Sequence, residues 1–543
     1  MGCPRMYFDL ASGFEPSPST RSVANPLFEI YWEGLLFAPG IPAGQESAQA
    51  LLDSFELTDD LSALVKKVHP YRGNWSLCIH AVSDGSWIAC ADHSHQSHLF
   101  HSHRAFSSSF LRMREERIDR ATLAEETMAG FLLTGFCNGP RAFYEDLAIL
   151  DYRFYLSVQN GELAVRDKRL PSAFEPSGEN GSFVGTLGRL FESLRNENIS
   201  LDLTGGTDSR ILAISLDHLG HEFEVATEGD EIYSEVEIAR MVAQALGKEL
   251  KRRNLSSHHL GPDDLREAWR GCDGLDLHLL SHKFETWRRE FGYSLAISGF
   301  AGELYKDGGW HRAALASRLS RTGTPGLINR IIDSGNLMTW DGASYAEILA
   351  MLTPKWRDLV RQWLEATRSR LLVEYRDYSV WLAADRIFFE FNINRPAGTR
   401  IPDMPRYTPL TEPDLVRIGV NQPALQRLNH RLYRKEIGRL HSPAARVPTD
   451  RGELTLSHHR RHQPGEWFKY SRHFLAGRSI GKARGQKTEN KNQSVADAHM
   501  LSSGDLREAL GNLRELGIAS PEPLRPTMPQ AKRLLILHFV MSN

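Results

Sequence analysis

Residues 199–219 constrain this chain more than any other stretch. Ile199-Ser200-Leu201-Asp202-Leu203 is a compact, mostly apolar strand, Thr204-Gly205-Gly206-Thr207-Asp208-Ser209-Arg210 follows at once, and Ile211 to Leu219 has helical spacing. Gly205 and Gly206 tolerate backbone conformations and a close approach that a Cβ would block. Successive N–H groups can then face one anion, reinforced by the positive end of the following helix. Thr204, Thr207 and Ser209 add hydroxyl donors. Asp208 would repel a bare phosphate, so its expected use is to hold Mg2+ against one. No Lys follows the glycines, which excludes a Walker A loop. The competing reading is a Gly-Gly turn capped by Asp or Ser at a helix start.

The surroundings favour the anion site. Phe183, Leu187, Leu190, Phe191 and Leu194 fall at helical spacing before the strand. Phe223 to Thr227 reads as the next strand, and Ile232, Val236, Ala239, Val242 and Leu246 as an amphipathic helix. Strands alternating with helices predict a parallel α/β sheet. Residues 25–170 differ, with short strands and turns. Trp75 to Val82 and Trp87 to Ala91 make a hairpin, Phe154 to Val158 and Leu163 to Val165 a second one turning at Asn160-Gly161, and a helix is expected near Ala121 to Leu133. At 543 residues the chain is long for one core. The expected division is an α+β domain over 1–175, an α/β domain with a helical extension over 183–480, a polar linker over 481–505 and a helical segment over 506–543.

The loop resembles the pyrophosphate-binding loop of the asparagine synthetase-like ATP pyrophosphatases, usually Ser-Gly-Gly-x-Asp-Ser. Thr204 and the trailing Arg210 resemble a divergent branch of that superfamily. Thr227-Glu228-Gly229-Asp230 looks like the family's second strand end, which contacts the nucleotide. Ile297-Ser298-Gly299-Phe300-Ala301-Gly302-Glu303-Leu304-Tyr305 is similar to the later Ser-Gly-x-Gly-x-Asp-Glu-Leu-Phe signature.

The resemblance implies a PP-loop synthetase fold that binds ATP through Leu203 to Ser209, Thr227, Gly229, Ser298 and Gly299. Asp208 and Glu303 would hold Mg2+ on the β- and γ-phosphates while a substrate carboxylate attacks the α-phosphorus and pyrophosphate leaves. The acyl-adenylate would pass to ammonia or an amine. Arg210 and Arg451, in Val447-Pro448-Thr449-Asp450-Arg451, are the basic candidates beside the departing phosphates.

The resemblance also covers the first domain, as an Ntn-type glutaminase scaffold, because Asp92 to Phe100 is similar to its Asp-Arg-x-x-x-x-Pro-Leu-Phe segment without the Arg. Glutamine-using members begin Met-Cys, whereas here Gly2 precedes Cys3. A cysteine one place in lacks the α-amino group as its base, so the glutaminase is expected to be inactive. Phe300 stands where asparagine synthetases carry a glutamate of the acyl-transfer site, which argues against aspartate as substrate.

The expected function is therefore an AMP-forming carbon–nitrogen ligase acting on a small-molecule or peptide carboxylate. A lasso-peptide-type macrolactam cyclase and a non-catalytic scaffold of the same fold are the alternatives. RNA thiolation ranks lower, since the second half holds only Cys272. A homodimer and a separate glutaminase or biosynthetic partner stay open.

Composition narrows the partners. Net charge is −2, which argues for neither nucleic acid nor membrane. Cys3, Cys78, Cys90, Cys137 and Cys272 are scattered without a C-x-x-C pair, so neither a disulfide framework nor a cysteine zinc site is expected. Without a signal-like N-terminus or a spanning apolar run, a cytoplasmic location is expected. His93, His95, His98, His101 and His103 invite a metal reading, but a scaffold strand and turn is the simpler one. Arg460, Arg461, His462, Lys482, Lys487 and Lys491 read as solvated loop charges.

Overall fold

A computed structural model describes residues 5–94, 96–116, 122–175, 181–230, 234–254, 263–277, 279–306, 309–334, 345–393, 404–423, 427, 430–449, 456, 500–521 and 526–542. Gly2, Cys3, His95, Arg451 and the basic residues expected between 460 and 491 lie outside them.

The first half is built from strands β1 (Tyr7–Asp9), β2 (Gly13–Glu15), β3 (Arg21–Ala24), β4 (Phe28–Gly34), β5 (Trp75–Ala81), β6 (Ser86–Ala91), β7 (Phe100–His101), β8 (Ala105–Ser107), β9 (Ala148–Ile149), β10 (Phe154–Gln159) and β11 (Glu162–Asp167). They form two antiparallel sheets, ordered β11-β10-β6-β5-β4-β3 and β2-β1-β8-β7-β9. Both expected hairpins are present. The β10–β11 turn places Asn160 and Gly161 at φ 52° and 75°, the left-handed pair that a two-residue hairpin turn needs.

Side-chain alternation sorts this half into layers. Phe8, Phe106, Cys78, Ala89, Ala91, Leu156 and Val158 fill the space between the sheets. Leu77, Ile79, Ile88 and Cys90 point the other way, onto helices α1 (Gln45–Asp53) and α2 (Leu61–Val68). Tyr7, Phe100 and Ala105 leave the second sheet toward α3 (Phe110–Glu115) and α4 (Glu125–Thr134). The result is a helix–sheet–sheet–helix stack.

The second half alternates as expected: α5 (Phe183–Glu192), β12 (Ile199–Asp202), α6 (Asp208–His218), β13 (Glu224–Glu228), α7 (Ser234–Ala245), β14 (Leu250–Arg253), α8 (Asp264–Gly271), α9 (Leu279–Glu290), β15 (Leu295–Ile297) and β16 (Arg406–Tyr407). Its sheet is wholly parallel, in the order β14-β13-β12-β15-β16. Helix α6 starts at Asp208 rather than Ile211, so the loop's last residues already belong to its first turn. The helical extension includes Gly309–Leu319, Gly323–Ser334, Pro354–Glu374 and Val380–Phe388.

One apolar core runs through both halves, from Tyr7 and Phe131 to Leu201, Ile211 and Ile297, and on to Leu537. The terminal helix Met528–Met541 belongs to it. Arg533 Nη2 donates to the Leu133 carbonyl at 3.3 Å, and the Tyr144 hydroxyl donates to the Val540 carbonyl at 3.0 Å. This terminal helix, within the helical segment expected over 506–543, thus packs against the first half. Among the described residues, no helix is long and apolar enough to cross a membrane.

Candidate active site

The chain leaves β12 for β13 and β14 on one side, then returns to place β15 on the other. Between β12 and β15 the order in which the chain adds strands reverses. In parallel α/β sheets ligands bind at such a point, beyond the carboxyl ends of the strands. Leu201 and Ile297 are in register, so the loops after Asp202 and Ile297 emerge side by side. These are the Gly-Gly loop and the acidic motif.

The first loop closes on itself. Thr204 N donates to Ser209 Oγ at 3.1 Å, Gly206 N donates to Thr204 Oγ1 at 3.2 Å, and the two hydroxyls lie 3.1 Å apart. Leu203 N continues the ladder to Ala226 O at 2.8 Å. Thr207 offers no side-chain cap to α6, whose first-turn amides form the positive end of the helix.

The second loop lies directly on the first. A Cβ on Gly299 would meet Ser209 N at 2.6 Å and the Asp208 carbonyl carbon at 2.8 Å. One on Gly302 would overlap the Asp208 carboxylate outright. Ala301, at φ 72°, turns the chain between them into the short 3-10 turn Gly302–Leu304 that carries Glu303.

Asp208 gathers the partners. Lys306 Nζ forms an ion pair with Asp208 Oδ2, and both groups are largely buried. The Tyr433 hydroxyl hydrogen-bonds the Asp208 carboxylate and lies 3.5 Å from the Gly302 carbonyl. Burial, then the charge of Asp208, pushes the Tyr433 phenol well above its usual range, with Glu303 adding to it. Glu303 is half-buried, with no ion pair among the described residues.

Behind the loops lies a buried charge network. Arg288 Nη2 and Arg406 Nη2 both pair with Asp202, the latter at 2.6 Å, and Glu285 Oε1 takes Arg288 Nη1 at 3.0 Å and Arg406 Nη1 at 2.6 Å. Arg406 Nη2 also donates to Ser298 Oγ at 3.2 Å, which ties the network to the second loop. Burial works to raise Asp202, but the two guanidiniums hold it below the usual carboxylate range. At the next strand end, burial pushes Glu228 up to about 7 against the opposing pull of Arg253.

The structure therefore brings the loop Leu203 to Ser209 and the loop bearing Ser298, Gly299 and Glu303 together at one end of the sheet. Thr227 is buried at the end of β13, and Gly229 N donates to Arg253 O at 3.1 Å beside it. Arg210 departs from its expected place. It is fully buried, and its guanidinium donates to the carbonyls of Gly205, Val447 and Pro448, so it braces the loop from behind. Among the described residues, the cation paired with Asp208 is Lys306.

Sequence reading misses Lys306, although it follows Glu303 by only three places. It also misses Tyr433, for which no local signal exists, because only tertiary folding brings it to Asp208. Phe300 is half-buried against the core at the edge of the loop. Of the described histidines, His93 Nε2 lies 2.9 Å from His69 O, His101 sits on β7 and His103 is exposed. Burial pushes His69 down to about 4 and His93 well below its usual value. Among the described residues no cluster of three metal-ligating side chains occurs. Cys78, Cys90, Cys137 and Cys272 are buried and joined in no disulfide.

No family model matches this sequence, and no curated protein does. Among solved structures, the chain is similar to the allosteric regulatory enzyme of purine biosynthesis, with 10% identity and a TM-score of 0.19 over 45% of this chain and 63% of that one. It is similar to the glutamine phosphoribosylpyrophosphate amidotransferase from B. subtilis complexed with ADP and GMP, with 11% identity and a TM-score of 0.19 over 52% and 73%. The chain thus spans less than two thirds of the first of these. Neither likeness carries an argument at that score. The function rests on the two loops themselves.

Proposed function

We propose that this protein is an ATP-dependent, AMP-forming carbon–nitrogen ligase that activates a carboxylate by adenylation. The observation that carries the reading is the meeting of the Gly-Gly loop and the acidic motif at the switch point of a parallel sheet. Two loops with separate sequence signatures share one face there, and glycines at 299 and 302 allow their contact.

Mg2+ fits the residues present. Asp208 and Glu303 supply hard oxygen donors, and an ammonium already stands on Asp208 where a cation is wanted. Two carboxylates suit a metal that takes its remaining ligands from substrate phosphates and water. When bound, Mg2+ would neutralise charge on the β- and γ-phosphates. The chain's own parts do the rest. Amides at the start of α6 bind the phosphates, Ser298 and Gly299 border the nucleotide, and Thr227 and Gly229 flank it from β13.

The first half supports the Ntn-type glutaminase reading through its four-layer order. With Gly2 ahead of Cys3 it is read as inactive, and nitrogen comes from free ammonia, an amine or a separate glutaminase. A cytoplasmic enzyme acting on a small or peptide acid follows from the same reading. The macrolactam cyclase remains the second reading, favoured by Phe300 beside the loop, since an apolar side chain suits a peptide better than aspartate.

The test is a screen of carboxylates with the intact protein, following pyrophosphate and AMP. Acid-dependent release of the two in equal amounts supports the ligase. Phosphate and ADP instead, or no nucleotide chemistry with any acid, overturns it.

A further inference from the structure

Among the described residues, the cation paired with the first loop's carboxylate comes from an unexpected place. Arg210 is occupied by carbonyls behind the loop, whereas Lys306 reaches forward from the end of the acidic motif onto Asp208. Its side chain is about nine-tenths buried and fixed by the backbone that places Glu303, just past the 3-10 turn. Arg427 Nη1 lies 3.4 Å from the Leu304 carbonyl, and pairs with buried Asp385 at 2.8 Å, so the base of this arm is anchored in the helical extension. His311 completes that anchor at 2.7 Å from Asp385.

We infer that Lys306 is a catalytic residue of the proposed reaction, contacting the pyrophosphate that leaves. The inference rests on the ligase reading above. Without nucleotide, Lys306 satisfies Asp208. With nucleotide present, the phosphates offer the ammonium a stronger anionic partner, and Asp208 is freed to hold the metal. A substrate carboxylate oxygen bonds to the α-phosphorus, the bond from that phosphorus to the bridging oxygen breaks, and the electron pair leaves with pyrophosphate. Lys306 donates hydrogen bonds to the charge growing on that oxygen and keeps its proton throughout.

The same lysine explains how an acidic pair can sit in an anion site without metal. Lys306 offsets one of the two negative charges. An ammonium is a compact cation on a flexible stem, able to move from carboxylate to phosphate by rotamer change, which a guanidinium locked on carbonyls is not.

Calorimetry of magnesium pyrophosphate and of ATP–Mg against wild type, Lys306→Met and Lys306→Arg tests this, with melting temperature recorded for each. The expected result is roughly a hundredfold weaker pyrophosphate binding in Lys306→Met. Substantial recovery is expected in Lys306→Arg, which keeps a melting temperature close to wild type, whereas Lys306→Met strands the Asp208 carboxylate and melts lower. If Lys306→Met unfolds, weaker pyrophosphate binding by a folded Lys306→Gln serves the same purpose. Wild-type binding that these variants leave intact overturns the lysine's part alone. Absence of binding by the wild type overturns both the lysine's part and the ligase reading.

Discussion

Gly302 leaves no room for a side chain against Asp208: a Cβ at 302 would overlap the Asp208 carboxylate. The acidic motif is thus seated on the very carboxylate that the Gly-Gly loop presents. Gly302→Ala is predicted to displace Asp208 by about an ångström or more, which costs on the order of a hundredfold in pyrophosphate release. The fold is retained, because the displaced group is a partly exposed side chain that can change rotamer. Steady-state rates beside a thermal melt check this. A variant with wild-type rates would show that the contact is dispensable.

Gly299 differs, because its neighbours are backbone. A Cβ there would meet Ser209 N at 2.6 Å and cannot be relieved by a rotamer change. Gly299→Ala is predicted to lose about 1–3 kcal/mol of stability, the usual cost of overpacking. Urea unfolding of the pair Gly299→Ala and Gly302→Ala separates the effects: the first moves the midpoint more than the second.

The charge network behind the loops gives a stability prediction. Asp202 holds Arg288 and Arg406 in a buried setting, and removing one partner strands the others. Arg406→Met is predicted to cost about 3–5 kcal/mol. The sign with pH follows from the lowered Asp202 carboxyl. Its contribution is present above the ordinary carboxylate range and lost as pH falls through the folded value, so Asp202→Asn should flatten the acid limb of the stability curve. An unchanged acid limb would contradict it.

Glu412 has the opposite sign. It accepts from Gly73 N at 2.8 Å and lies 3.8 Å from Arg72 across the junction of the two halves, yet burial pushes it up to about 8. The folded protein therefore holds a proton that the unfolded chain has released, and stability falls as pH rises between roughly 4.5 and 8. Glu412→Gln should remove that decline. Chemical denaturation at about pH 5 and pH 8 reads it directly, and identical slopes in variant and wild type would refute it.

Much of this is legible in the sequence where local rules govern. Asn160-Gly161 dictates a hairpin turn, and alternating strands and helices after residue 183 dictate a parallel sheet. Leu203 to Ser209 and Ser298 to Glu303 announce themselves because glycines and carboxylates are needed where backbones touch beside an anion site. Lys306 and Arg210 escape such reading because sequence gives the charge of a side chain but not the direction it takes. Arg210 begins a buried helix face, so its guanidinium turns to inner carbonyls. Tyr433, Arg288 and Arg406 come from distant elements and have no meaning until the sheet brings them together. The terminal helix is legible as a helix, but its run Leu534 to Val540 names no partner, because Leu133 and Tyr144 are far away in sequence.

The central claim is that Asp208 stands in a site for nucleotide phosphates, and titration of ATP–Mg into wild type and Asp208→Ala meets it most directly. The account predicts saturable binding by the wild type and at least a roughly tenfold weaker affinity, about 1.4 kcal/mol, in the variant. Equal affinities in the two proteins, or no binding by the wild type, would contradict it.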